Sequence, residues 1–465
     1  MDASQKEQLS VVLRYVDNSF DIKEDFVGFV HLKDGLTGKA LSNAIVKRVS
    51  DLKLDIMNCR GQGYDGAGSV SGEKNGAVAH ILRLNRLALY THCFSHRLSL
   101  AVCKGFQITS VSNMLEIVFF FFKYSAQRQL FFEQKVKEIC PTSTCKKLKD
   151  PSRTRWLERI KDLDLFIELF ECLWITLNEM RNSKSHNPQT KKDAASYFKG
   201  IDYFNFIVNM VITFHVLDLA QLVTELLQSK TNDIAEDVHM ITSLLKVVSD
   251  TRDEVDKYHD KWYDEALVIA ERLHIKEAKP RTCLRMTHTD NHDAKSIRDF
   301  YRVSLTIPLL ESLGEQLKSR FSENSLVAYT DLHLIPSKIL QKVKDGHENG
   351  SQKKGESIPP SQSLKELTLP FFEFYRAEFD NYLRIDSELQ LWEEFWTSHK
   401  ALCPSNISST LKAVTFEGFP NIKIALRILA TLPITSCECE RSFSFLSKPL
   451  FVAIWDKTVK MDCVY

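Results

Sequence analysis

The sequence predicts an α/β protein that is mostly helical overall. Residues 1–93 read as strand, strand, helix, strand, helix, strand. From about Ser95 to Gln341 the apolar spacing is helical throughout. Together these describe a mixed sheet flanked by helices and followed by a long all-α segment.

Residues 9–17 are rich in β-branched and aromatic side chains and read as a strand. Asn18 to Asp21 supplies a turn, and residues 26–32 read as the hairpin partner. Thr37-Gly38-Lys39 opens a helix in which Leu41, Ile45, Val46, Val49 and Leu52 recur at three- and four-residue spacing, so one face is core. The short apolar segment 54–59, running on through Asp65, is expected as a third strand. Residues 76–82 follow as a helix and 88–93 as a fourth strand. Beyond it, buried helices are expected around Leu98, Ile117 and the phenylalanine run, from Arg153-Thr154-Arg155-Trp156 through Phe170, and over 204–227, 240–248 and 265–277. Residues 342–362, polar with Gly, Ser, Lys and a Pro pair, read as a disordered linker. Short helices over 364–382 and 389–395 and a stronger one over 421–432, stopped by Pro433, complete the chain. The expected divisions are 1–140, 141–341, 342–362 and 363–465.

With 465 residues the chain has room for two or three domains, or for one domain with a large insertion. Hydrophobic residues make up 44% and charged residues 26%, the balance of an ordinary globular protein. A net charge of +1 gives no overall basic field, so any nucleic-acid surface must be local. Eleven cysteines, an odd count, together with a start that does not read as a secretory signal, point to free thiols in a reducing cytosolic or nuclear setting. The run Val118 to Phe122 is far too short to span a bilayer, and no membrane partner is expected.

The stretch with most chemical content is Cys59-Arg60-Gly61-Gln62-Gly63-Tyr64-Asp65-Gly66-Ala67-Gly68. Its glycines suggest a tight, exposed turn around a single carboxylate, suited to a metal or a phosphate-bearing ligand. The commoner explanation of such a run is a glycine-rich turn whose Asp caps the next helix. Lacking a following Gly-Lys-Ser/Thr, it is not a Walker loop, and the glycine spacing does not fit the dinucleotide fingerprint. Cys93-Phe94-Ser95-His96 pairs two zinc-type ligands, but no second pair completes a site; Cys437-x-Cys439 is tightly spaced and distant. Ser436-Cys437-Glu438-Cys439-Glu440-Arg441-Ser442-Phe443-Ser444 reads either as a helix start or as the return of a carboxylate, Glu440, toward Asp65 for divalent-metal chemistry. Lys146, Lys147, Arg153, Arg155 and Arg159 surround Trp156, a pattern open to a solvated helix face or to a grip on nucleic acid by phosphate contact and stacking.

Four of these stretches, in this order, resemble hAT-superfamily transposases: residues 58–67, residues 91–98, Thr154-Arg155-Trp156, and Leu432-Pro433-Ile434 leading into Glu440-Arg441-Ser442-Phe443-Ser444. The zinc finger MYM-type branch is the most similar. The resemblance implies an RNase H-like core split by a helical insertion and closed by a C-terminal dimerisation segment. It implies an Asp-Asp-Glu triad that binds Mg²⁺ or Mn²⁺, with Asp65 on the second Asp and Glu440 on the Glu. It places Cys93, His96, Arg155 and Trp156 by DNA, and Glu440, Arg441 and Phe443 in the dimerisation segment.

This chain also departs from the family pattern. Family members carry a strand ending in the first catalytic Asp upstream of the segment that begins here at Met1, and Asp2 matches only a later Asp. The first strand of the sheet is thus expected to be missing, which turns an internal strand into an exposed edge. Pro449 to Trp455 replaces the expected basic helix, so the dimerisation segment is expected to be short. The expectation is therefore a dimerising, DNA-associated nuclear factor without catalysis, its partners itself or a related hAT protein and DNA, with no small-molecule substrate. The alternatives are residual metal-dependent nuclease or strand-transfer activity, or a truncated product without a selected function. The nuclear location follows from the resemblance alone; otherwise the chain reads as cytoplasmic.

Overall fold

The computed structural model describes residues 6–105, 109–149, 156–228, 233–280, 295–321, 332–349, 363–414, 418–433, 435, 438–439 and 441–442. Strands β1 (Gln8–Val16) and β2 (Ile22–His31) come first, followed by helix α1 (Gly38–Asp51), strand β3 (Gly61–Tyr64), helices α2 (Gly68–Ser71) and α3 (Ala77–Leu84), and strand β4 (Leu89–His92). Next come α4 (Phe94–Gly105), α5 (Thr109–Lys123), α6 (Ala126–Ile139), α7 (Trp156–Glu168), α8 (Phe170–Asn182), α9 (Pro188–Ile201) and α10 (Phe204–Leu227). Then follow α11 (Ile234–Asp253), α12 (Val255–Arg272), α13 (Ile297–Tyr301), α14 (Ile307–Arg320) and α15 (Pro336–Asn349). Last are α16 (Leu364–Phe374), α17 (Ile385–Ser398), α18 (Ile407–Ala413) and α19 (Pro420–Thr431). The chain divides into two compact units: Met1–Ser95, Gln228–Glu236 and Val327–Tyr465 form one, and His96–Leu227 with Asp237–Leu326 the other.

In the first unit, β1 and β2 form the expected antiparallel hairpin, with a bulge between Val11 and Val12. The Asp17 carboxylate accepts the backbone N–H groups of Ser19 and Asp21, both at 2.9 Å, and so shapes the turn. Thr37 caps α1, its hydroxyl accepting the Ala40 N–H. Strands β3 and β4 run parallel, Gly61 beside Leu89 and Tyr64 beside His92. Further along, Asp233 accepts the N–H groups of Ile407 and Ser408 at the start of α18, and Glu388 accepts those of Asn421 and Ile422 in α19. Each carboxylate satisfies helix-start donors that have no partner within the helix.

The second unit is built around α10, whose N-terminal half is mostly apolar and buried, while Asp218 and Glu225 are exposed nearer its C-terminal end. Phe206, Ile207, Val208, Met210, Val211 and Ile212 are each at most 1% exposed. It packs against α5, α7, α9, α12 and α14. By length and composition α10 is apolar enough to cross a membrane, and it is a longer apolar element than the phenylalanine run; 61% of that stretch is buried inside the protein, as in the core helix of a folded unit. A widened turn, Arg302–Thr306, joins α13 to α14. Against it sits buried His259, one ring nitrogen bonded to the Thr306 hydroxyl at 2.8 Å and the other to the Arg298 carbonyl at 3.0 Å.

Several expectations are corrected. Among the described residues the four strands form two separate two-stranded sheets, not one mixed sheet. Residues 54–59 are not a strand: Ile56–Asn58 is a single 3-10 turn with Met57 exposed, and the strand is the glycine-rich Gly61–Tyr64 itself. Helix α15 continues through Asn349, so the first part of the expected linker is helical; its remainder lies outside the described residues. The helix expected over 364–382 ends at Phe374, and the one expected to reach 277 ends at Arg272. Helices α5 and α6 pack with α8, α9 and α10 in the helical unit.

Candidate functional site

Residues 61–65 organise the candidate site, and glycine there serves close approach. A Cβ on Gly61 would lie 2.6 Å from Pro433 Cδ, and one on Gly63 would lie 2.8 Å from Pro433 Cβ and Cγ. Any side chain at either position would collide with the Leu432-Pro433 segment, so two distant stretches of sequence fit only because one of them lacks side chains. From β4, the Thr91 hydroxyl donates to the Pro433 carbonyl, and the buried Gln62 amide donates to the Ala88 carbonyl at 2.9 Å. Three of the four resembling stretches therefore meet here.

Asp65 follows directly on β3, exposed, and its carboxylate accepts the Ala67 N–H at 3.2 Å. Gly66 beside it has φ +77°, and a Cβ there would strike the His92 ring. The tight turn expected of this run is thus real but begins only at Asp65. Tyr64, ahead of it, stacks toward Tyr90 at 6.2 Å, and burial pushes its hydroxyl pKa up. Burial likewise pushes up the Cys59 thiol, which donates to the Gly61 carbonyl at 3.1 Å.

The C-terminal stretch packs on the hairpin. The Ser442 and Ser10 hydroxyls are 2.7 Å apart, and the Cys439 thiol points to the Ser10 carbonyl at 3.8 Å. Cys439 is also near enough to Tyr64 to bear on its ionisation. Arg441 pairs with Glu438, Nε to carboxylate at 2.7 Å, and donates to the Gln228 carbonyl at 2.6 Å, so its guanidinium is engaged within its own unit. Glu440 and Phe443 lie outside the described residues, as do Asp2, Arg153, Arg155 and Cys437; the side chains of Trp156 and Arg159 also lie outside them. Among the described residues no group of three or more His, Cys, Asp or Glu side chains is arranged to hold a metal ion. Asp65 offers one exposed carboxylate, which by itself does not make a divalent-metal site.

Of the residues expected by DNA, Cys93 is 1% exposed, its N–H donating to the Tyr64 carbonyl at 3.0 Å, while His96 is half-buried in the first turn of α4. Lys147 pairs with Glu133 at 3.3 Å.

Residues not singled out in the sequence hold the frame together. The Asn85 amide donates to the carbonyls of Ile56, Met57 and Cys59 at 2.8–3.1 Å, fixing the approach to β3. Arg60 pairs with Glu378 at 2.7 Å, and the Tyr375 hydroxyl donates to the Arg60 carbonyl. Arg14 pairs with Glu24 at 2.6 Å and donates to the Ala430 carbonyl, tying the hairpin to α19. Apart from Arg14 and Glu24, directly opposite across the hairpin, no local pattern marks these contacts, because the partners are remote in sequence or are backbone carbonyls.

Comparison with known proteins bears on the same stretches. Residues 1–76 match the family described as DUF4371: ZMYM1/FAM200, RNase-like domain. Over 455 residues, 95% of the chain, the sequence is 25% identical to the 52 kDa repressor of the inhibitor of the protein kinase of Mus musculus and 26% identical to that of Homo sapiens. The alignments cover 57% and 56% of those proteins, so the chain spans little more than half the length of the curated relatives it matches. The chain is thus similar along nearly its whole length to the 52 kDa repressors of the inhibitor of the protein kinase, and its first 76 residues match the ZMYM1/FAM200 RNase-like domain.

Proposed function

We propose that this chain is a protein derived from a hAT-superfamily transposase, acting as a dimerising, DNA-associated nuclear factor that no longer cuts or joins DNA. The observation that supports this best is the seating of Leu432 and Pro433 on Gly61 and Gly63. Contacts that exclude any side chain hold together three stretches resembling family motifs, as expected of an RNase H-like frame still kept in working order. The carboxylate set is the weaker part. Among the described residues no second carboxylate joins Asp65 in a metal-holding group, and two-metal strand chemistry needs both ions clamped around the reacting oxygens. Dimerisation through the segment around Glu440, Arg441 and Phe443, and DNA contact through His96, Arg155 and Trp156, belong to the same reading.

A second reading, residual metal-dependent nuclease activity with Mg²⁺ or Mn²⁺, draws on the exposure of Asp65 at the end of β3. One experiment separates the two: light scattering on the full chain, followed by incubation with labelled DNA in Mn²⁺ and a mobility assay. A dimer that retards DNA and leaves its length unchanged is the expected result. Shortened strands that disappear with Asp65→Ala would replace this reading with the second. A monomer that leaves DNA free would overturn both and leave a remnant without these activities.

A further inference from the structure

Helices α6 and α8 pack against each other and bring together two thiols 32 residues apart. Cys140 is the C-terminal cap of α6, half-buried, with φ −120° and ψ 62°, outside the helical region. Cys172 lies in the first turn of α8 and is fully buried. Their sulfurs are 3.2 Å apart, the Cys172 thiol donating to Cys140. A disulfide holds its sulfurs at about 2.05 Å. The remaining gap needs only a small adjustment, and Cys140 sits where the chain has already left the helix.

We propose that Cys140 and Cys172 form a reversible redox site, at which a small disulfide such as oxidised glutathione converts the thiol pair into a bond between the end of α6 and the start of α8. Cys140 is the group that meets the reagent, because Cys172 is enclosed. The Cys140 thiolate attacks one sulfur of glutathione disulfide, forming a mixed disulfide and releasing one glutathione thiolate. That thiolate takes up the Cys172 proton as the Cys172 sulfur attacks Cys140, which expels the second glutathione. Two protein thiols and one glutathione disulfide thus give one protein disulfide and two glutathione thiols. Burial pushes the Cys172 thiol up to about 12, which keeps it inert toward outside oxidants until Cys140 has reacted.

The chain closed by this bond carries Lys146, Lys147, Arg153, Arg155 and Trp156. Oxidation would tie together the ends of the segment assigned above to DNA contact; that consequence rests on the proposed function, whereas the chemistry does not. The test is mass spectrometry of peptides from the alkylated full chain after equilibration in oxidised or reduced glutathione. A Cys140–Cys172 cross-linked peptide is expected as the main oxidised form, lost again in dithiothreitol. Cys172→Ala should instead retain glutathione on Cys140, and Cys140→Ala should leave Cys172 unmodified. Should Cys172→Ala not fold, the wild-type and Cys140→Ala results decide the matter. Glutathione persisting on wild-type Cys140, Cys140 bonded to another cysteine, or a pair that stays reduced while other cysteines react would overturn the proposal. None of these outcomes depends on DNA binding.

Discussion

The two units differ in what is added to their apolar cores. The unit containing β1 to β4 buries Trp392, Trp396, Phe372 and Leu426 and adds single, directional contacts between remote stretches: Pro433 on Gly61 and Gly63, Arg14 on Ala430, Arg60 on Glu378, and Asn85 on three carbonyls. The helical unit is centred on the buried N-terminal half of α10, with Phe206 set among Phe166, Phe170 and Tyr203. Dispersion and burial tolerate exchange between apolar residues of similar size. A glycine under a proline ring tolerates nothing larger. The difference predicts that the first unit is constrained at a few unusual positions and the second at many ordinary ones.

The largest effect should come from the helical core. Phe206→Ala should lower stability by about 3–5 kcal/mol, the usual range for truncating a buried aromatic, as read by urea unfolding. Phe206→Leu, which keeps most of the volume, should lose far less. An equal loss from both would mean that shape, not volume, governs this unit.

Next should come the glycines beneath Pro433. Gly61→Ala and Gly63→Ala should each cost about 1–3 kcal/mol through overpacking. Gly68→Ala, with nothing within 4 Å of the added carbon, should stay within about 0.5 kcal/mol. If all three were alike, the close approach of Leu432-Pro433 would not be the constraint described here.

A smaller effect should appear with pH. Burial holds the His259 imidazole below its ordinary pKa, so the folded protein binds the proton less readily than the unfolded chain does. Its contribution is therefore fully present above the ordinary imidazole value near 6.5 and falls as pH drops from there toward the depressed folded pKa. His259→Gln should flatten the stability–pH curve over that window, whatever it costs at neutral pH. A slope that survives the substitution would assign the titration to another group.

This contrast also explains what could be read from the sequence. The hairpin, α1, α3, β4 and α10 were legible because each follows a local periodicity or a turn signal. The third strand was legible but misplaced: it was expected from residue 54 through Asp65 on the strength of the apolar 54–59, and only Gly61–Tyr64 is strand, where glycine, which by itself reads as a turn, lies against a proline far along the chain. The helix expected over 364–382 stops at Phe374, after which Tyr375 bonds to Arg60. Asn85 gave no signal, since an Asn before a loop looks the same whether or not its amide finds three carbonyls. At the candidate site the order of motifs was legible and their convergence only in part: Leu432-Pro433 meets β3 and β4, and Cys439 lies near Tyr64.

The smallest structural effect is expected at Asp65. Asp65 is exposed, so Asp65→Ala should change stability by no more than about 0.5 kcal/mol. That makes it a clean probe of the central claim, that the frame has been kept while the metal chemistry has not. The direct test is Mn²⁺ titration calorimetry on the full chain and on Asp65→Ala, with circular dichroism to establish that both are folded. The account predicts that neither protein binds Mn²⁺ at micromolar concentrations. Micromolar binding by the wild type that Asp65→Ala abolishes would contradict it, showing the acidic site still assembled and making strand-cleavage assays the next step.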